Sequence, residues 1–294
     1  MVDVHRYHEI SEATHLILNP LGDEQLGLIG DICGLHAGQR HLDLASGKGE
    51  MLCRYALRYG TTGVGVDVHR PCVDAATARA RELGVHDSVE FVHGDASTYA
   101  AAPGSFDVVS CIGATWIGGG LPGTLQLMRP ALRRDGWLLV GDLFWNEEPP
   151  DEVPRELDEE CVDLPGALAH FESGGLDLVD MVLANQDTWD RYSASQWLNV
   201  SNWLRANPDD PDADDVRRTR DDARRSYLTY ERRYFGWECS SCGCCDATRS
   251  ARDRSSMRGS CGRCASRATD SSYSCCHSFP DAPTAVDRRP GCAD

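Results

Sequence analysis

The stretch that most constrains this fold runs from His41 to Tyr59. It opens as a short run, His41-Leu42-Asp43-Leu44, and turns through Ala45-Ser46-Gly47-Lys48-Gly49. It continues with Met51, Leu52, Tyr55, Ala56 and Tyr59 at helical spacing. That order predicts a strand, a glycine-rich turn and a helix. Such a turn sets free backbone N–H groups of a helix N-terminus beside the carboxyl end of a strand, and glycine lets a ligand approach the backbone closely. Short glycine patterns also occur in ordinary tight turns, so the following elements have to decide.

Thr61 to Asp67 reads as a second strand that ends in an acid, 20 positions after Gly47. An acid there can accept hydrogen bonds from both ribose hydroxyls of an adenosine. Sites for NAD and for S-adenosylmethionine share this device. The turn reads D-x-A-x-G-x-G rather than G-x-G-x-x-G, and Asp43 stands just before it. A dinucleotide must bring a pyrophosphate to such a turn. S-adenosylmethionine brings a zwitterionic amino acid, whose ammonium makes a nearby carboxylate useful.

In these residues and in three later segments the chain resembles the class I S-adenosylmethionine-dependent methyltransferases. The segments are DLASGKGE at 43–50, VGVDV at 64–68, VEFVHGDAS at 89–97, FDVVSCIGATWIGGG at 106–120 and LRRDGWLLVGDLFW at 132–145. The likeness spans about 10–237, and Ala45 departs from it where the family usually has a glycine. The resemblance implies a doubly wound, mostly parallel sheet of Rossmann-like type. It also implies S-adenosylmethionine as cofactor, held by Asp43, Ala45, Gly47 and Gly49 of the turn. Asp67 and Val68, Asp95 and Ala96, and Cys111 complete that expected set, with Asp95 reaching the adenine amino group.

Continuous apolar runs such as VVSCI and WLLVG fit strands buried on both faces of a parallel sheet. The loop Gly113 to Gly120 leaves the carboxyl edge of that sheet, where substrates meet cofactors in doubly wound folds. Thr115, Trp116 and Asp142, which follow the fourth and fifth strands, are therefore the expected catalytic residues. Residues 1–38 form an expected helical lid, broken near Asn19-Pro20, and His5, Tyr7, His8 and His15 either border the site or are exposed or capping residues. His5 and His8 alone make no metal site, and none is expected. An insertion over 146–174 starts with nine acids and one arginine between Glu147 and Asp163, which reads as a solvated face. Leu176 to Leu183 predicts a sixth strand. Asp187 to Ala206 predicts a helix capped by Asp187, with its aromatic residues in the core.

Net charge is −17, and residues 1–237 hold 39 acids against 21 bases. An acidic body repels nucleic acid and anionic membranes. The expected partner is a small-molecule methyl acceptor, with neither nucleic acid nor membrane involved. No signal-peptide pattern appears at the start, and a cytoplasmic enzyme is expected. Two other readings stand beside methyl transfer. An NAD-dependent oxidoreductase is disfavoured by the glycine pattern and by the lack of a Tyr-x-x-x-Lys pair, Lys48 being the sole lysine. A degenerate, non-catalytic fold serving as a binding module is the other.

Residues 238–294 are different in kind. They hold nine of the 14 cysteines and neither Leu nor Ile. Cys239-x-x-Cys242 and Cys261-x-x-Cys264 have zinc-ribbon spacing, yet apolar residues to surround a metal are lacking. Where relatives carry a final apolar strand, Glu238-Cys239-Ser240-Ser241 follows Trp237. The reading is a shift of the reading frame near Trp237, giving a disordered tail and a sheet without its last antiparallel strand.

Overall fold

Alternation along the strands sorts the two largest apolar cores onto opposite faces of a single sheet. The computed structural model describes residues 2–149 and 161–244. Helix α1 (Val4–Ser11) and helix α2 (Asp23–Ile32) precede strand β1 (Arg40–Leu44), helix α3 (Glu50–Tyr59), strand β2 (Thr62–Asp67) and helix α4 (Arg70–Glu82). Strands β3 (Val89–His93) and β4 (Phe106–Ile112) follow, then helix α5 (Leu121–Met128) and strand β5 (Leu132–Trp145). The remainder is β6 (Val162–Asp163), α6 (Leu164–Ser173), β7 (Leu176–Leu183), α7 (Gln186–Ala206), α8 (Ala213–Ser226) and β8 (Phe235–Cys244). The strand order is β3-β2-β1-β4-β5-β8-β7, with β6 against β5. Strands β3 through β5 pair in parallel, and β8 runs antiparallel to both β5 and β7.

Successive strand residues point to opposite faces. Leu42, Leu44, Val109 and Cys111 therefore pack with α5 and α6, around Leu125, Met128 and Phe171. Val108 and Leu139 face the other way, onto Tyr55 of α3 and Leu26 and Ile29 of α2. Each fully buried Leu or Phe of this kind contributes about 1.5–3 kcal/mol of transfer free energy. Helix α7 sets Trp189 in that second core, and Val200 and Leu204 in a smaller one with Ile10 and Val216. Of its aromatic residues, Trp189 is core, Trp197 and Trp203 pack partly buried against the cores, and Tyr192 instead hydrogen-bonds Glu12. Its cap is Asn185, whose side chain accepts from the Thr188 amide at 2.8 Å, rather than Asp187.

The expected loss of the last strand is overturned. Glu238-Cys239-Ser240-Ser241 lies in β8, in register with Asp142, Gly141, Val140 and Leu139 of β5. Trp237 lies inside this strand. The strand lies between two neighbours and is held by backbone ladders on both sides. Large rings set the register: a Cβ on Gly141 would meet the Trp237 ring at 2.7 Å, and one on Gly236 would meet Phe144 at 2.0 Å. Phe235 stacks on Trp145, with centroids 4.2 Å apart. The strand also settles half of the zinc pattern. Cys239 packs in one core and Cys242 in the other, on opposite faces of the sheet, so the two cannot share a metal. Cys261 and Cys264, the rest of the tail, and the acid-rich stretch from 150 to 160 lie outside the described residues.

Candidate functional site

At the carboxyl edge of the parallel strands lies a cavity of about 840 Å³. The glycine turn forms one wall. A backbone amide of that turn, Gly47 N–H, donates to Asp67 Oδ2 at 2.7 Å, and the His69 amide donates to Oδ1 at 2.8 Å. The Asp67 carboxylate is thus fixed from behind, and each oxygen keeps a lone pair for a further donor. Ser46 N–H donates to Val66 O at 3.0 Å, closing the turn onto β2. Gly49 has φ 69° and caps α3; a Cβ there would meet the Phe91 ring at 2.4 Å. Gly49 therefore shapes the turn from outside the cavity wall.

Ala45 stands at φ 59°, the one non-glycine residue with positive φ among the described residues. The family's usual glycine and this backbone conformation have the same cause, since left-handed backbone costs an L-residue about 1–2 kcal/mol. Asp43, Ala45 and Gly47 line the cavity, as do Asp67 at the end of β2, Val68 just after it, and Asp95 and Ala96 beyond β3. Asp95 accepts from the Ser97 hydroxyl at 2.7 Å and the Ser97 amide at 2.8 Å, which hold its carboxyl below the usual range. Cys111 is absent from the lining, because its side chain alternates into the core shared with α5.

Asp43 is buried, and burial pushes its carboxyl up to about 7 against the pull of a hydrogen bond from Ser110. The two carboxylates, on neighbouring strands, thus suit different groups. Asp67 suits hydroxyl donors, and Asp43 suits a cation that compensates its burial.

The expected catalytic trio divides. Trp116 lines the cavity and is 62% exposed. Thr115 and Asp142 lie behind it: Thr115 is buried, its hydroxyl donates to Asp142 Oδ2, and its carbonyl accepts from Thr124 Oγ1 at 2.6 Å. These contacts hold the one-turn helix Thr115–Gly118 that presents Trp116.

The N-terminal segment roofs the cavity. His5, His8, Leu16 and Leu18 line it, whereas Tyr7 and His15 do not. Burial lowers His8 below the usual imidazole range, so it is neutral near pH 7. Two contacts that sequence reasoning missed hold the roof down. Lys48 Nζ donates to the carbonyls of Glu12 and His15 at 2.7 and 2.8 Å, and Asn19 Nδ2 donates to Ile112 O at 3.3 Å. The signal for the first was present: the chain's sole lysine sits inside the glycine turn. Glu12 is buried and accepts from Tyr192 Oη at 2.7 Å, Gln196 Nε2 at 2.5 Å and His15 Nδ1. Helix α7 thereby braces the roof from outside.

No group of three or more His, Cys, Asp or Glu side chains among the described residues could hold a metal ion. None of the described helices is long and apolar enough to cross a membrane.

Comparison with known proteins agrees with this geometry. Residues 42–136 match a methyltransferase domain family, and residues 179–245 match a family of unknown function, DUF8026. The second match runs through β8, so the likeness extends beyond Trp237. The chain is 41% identical over 244 residues to the uncharacterized protein YjhP of Escherichia coli, covering 80% of this chain and 97% of that one. It is similar to a crystal structure of a SAM-dependent methyltransferase from Thiobacillus denitrificans in complex with S-adenosyl-L-homocysteine. That pair has TM-score 0.78 and 40% identity, over 83% of this chain and all of that one. A SAM-dependent methyltransferase from Geobacter sulfurreducens, also in complex with S-adenosyl-L-homocysteine, gives TM-score 0.77 and 42% identity over 82% and 99% of the two chains.

Proposed function

This chain belongs to the S-adenosylmethionine-dependent methyltransferases, and we propose that it methylates a small molecule enclosed between the glycine turn and the N-terminal roof. The observation that carries this reading is the cavity itself. Its volume of about 840 Å³ is in the range that holds a cofactor and a small second molecule, and its roof is built from the chain's own residues 4–19. A roofed site of this kind does not admit a folded macromolecule, and the net charge of −17 disfavours a polyanion.

The donor set fits the cofactor. Asp67 accepts the ribose hydroxyls, Asp95 faces the adenine end beside Ala96 and Val68, and Asp43 receives the ammonium. When bound, S-adenosylmethionine supplies a methyl group on a sulfonium whose leaving thioether is neutral. The protein therefore needs no acid for the leaving group, and its task is alignment in a dry pocket for in-line displacement. Trp116 forms the acceptor wall, and Thr115 and Asp142 act through it as positioning residues. Leu16 and Leu18 exclude water from above.

The test has two arms. Calorimetry with S-adenosylmethionine and with NAD should give binding to the first alone. Turnover across a library of small acceptors should then identify the substrate, and Trp116→Ala should lower kcat more than cofactor affinity. Binding of NAD in place of S-adenosylmethionine would sink the cofactor assignment. Unchanged turnover in Trp116→Ala would move the acceptor elsewhere.

A further inference from the structure

We propose that His41 and Ser110 form a buried relay behind Asp43, set so that arrival of the cofactor's ammonium expels one proton from the protein. The inference rests on the reading of Asp43 as the ammonium's partner.

The strand register creates the relay. Asp43 lies directly beside Ser110 of β4, and His41 stands two residues earlier in β1, on the same face. Ser110 Oγ is 2.6 Å from Asp43 Oδ1, 2.7 Å from His41 Nε2 and 3.4 Å from Leu42 O. All three side chains are buried. The His41 ring stacks on Tyr55, with centroids 5.9 Å apart, and its Nδ1 has no hydrogen-bond partner among the described residues.

A hydroxyl carries one proton, and that count couples the three groups. With Asp43 ionised, Ser110 donates to the carboxylate and accepts from His41 Nε2–H. The imidazole is then neutral, with the bare lone pair of Nδ1 turned into the core. With Asp43 protonated, the carboxyl needs no donor, and Ser110 can turn its proton to Leu42 O or to His41 Nε2. Donation to His41 Nε2 requires the Nδ1–H tautomer of the ring, whereas donation to Leu42 O leaves the Nε2–H tautomer in place, so the charge on Asp43 sets which way the Ser110 proton points.

The surroundings set where this happens. Burial pushes Asp43 up to about 7, Ser110 pulls it down, and the Asp67 charge at the tip of β2 pushes it up again. Burial takes His41 down to about 3, so it stays neutral and brings no charge of its own. The other titratable groups close enough to feel the Asp43 charge are Tyr55 of α3, Cys239 of β8 and, from the opposite face of the sheet, Cys111 of β4. Burial raises all three, so they too are neutral near pH 7. An ammonium placed beside Asp43 favours its ionised form. The O–H bond of the carboxyl breaks, the carboxylate remains against the ammonium, and the proton passes to solvent buffer.

Titration calorimetry in buffers of different ionisation enthalpy counts the protons. The probes are S-adenosyl-L-homocysteine and 5′-methylthioadenosine, which lacks the amino-acid moiety. At about pH 6 the first should release close to one proton per site and at about pH 8 much less, while the second releases none at either pH. Ser110→Ala removes the hydrogen bond that favours ionisation. It should weaken S-adenosyl-L-homocysteine roughly tenfold near pH 7 and carry proton release to higher pH. Unchanged affinity for 5′-methylthioadenosine shows that this variant is folded, and Ser110→Thr should restore the wild-type profile. His41→Phe should shift the profile in the same direction by less, and a wild-type profile in that variant removes His41 from the relay. Equal proton release for both probes, or none for S-adenosyl-L-homocysteine at pH 6, overturns the relay while leaving the cofactor site standing. Failure of both probes to bind overturns the site assignment, and the relay with it.

Discussion

Strands β3, β2, β1 and β4 run parallel and carry the site at their tips, whereas β5, β8 and β7 form an antiparallel group beyond it. The parallel half is built from local units: β1, β2 and β4 each feed a turn and then a helix, and β3 connects through a short turn to β4. The antiparallel half depends on β8, which arrives from far along the chain and slots between two strands already linked by α6. In the first half, apolar runs supply the cohesion. In the second, the central strand contributes buried Ser240, Ser241, Cys239 and Cys242, and its hold comes from backbone ladders on both sides and from rings set over glycines. One half can therefore be damaged by losing side chains, and the other chiefly by losing backbone donors.

The sharpest way to break that contrast is Ser240→Pro. Ser240 pairs with Val140 on one side and Met181 on the other, so the loss of its amide and the ring's bulk should cost at least about 3 kcal/mol. Urea unfolding measures this, and a variant with an unchanged midpoint would show that β8 is dispensable. In the parallel half the larger effect should fall on ligand rather than fold. Asp67→Ala should weaken S-adenosylmethionine by about 1–3 kcal/mol in calorimetry, and unchanged binding in a folded variant would remove the ribose assignment.

Glu12 tests the roof between the two halves. Burial raises its carboxyl, but hydrogen bonds from His15 and Gln196 outweigh burial and hold it below the usual range. A depressed carboxylate stabilises the fold above its unfolded value and loses that contribution as pH falls through the folded value. Acid should therefore loosen the roof below about pH 4.5. Glu12→Gln should cost about 1–2 kcal/mol at neutral pH and flatten the acid limb of thermal stability. An acid limb identical to wild type would place the titration elsewhere. The smallest effect is expected at the turn: Ala45→Gly relieves left-handed backbone and should add up to about 1 kcal/mol, offset in part by the freer unfolded chain. A loss of stability on differential calorimetry would show that Ala45 is not strained.

What was legible in the sequence follows the same division. The glycine turn, Asp67 and the parallel order were readable because the chemistry and its scaffold lie within a few dozen residues of each other. β8 was not, because Ser, Cys and Gly carry no apolar alternation, and the rings that fix its register belong partly to β5. Thr115 and Asp142 do follow the fourth and fifth strands, yet their facing one another rather than the cavity depends on how one helical turn folds back. Ser110 was hidden inside an apolar run, where a single polar residue reads as noise until its neighbour across the sheet is known to be Asp43.

Lys48 has a practical consequence. It is the only side-chain amine in the whole chain, and both of its described partners are carbonyls of the roof. An amine-selective reagent thus has one side-chain target, apart from the terminal amine, and that target is engaged whenever the roof is down. The rate at which Lys48 takes up such a label reads out roof opening directly, with no engineered probe, and ligands that keep the roof down should slow it.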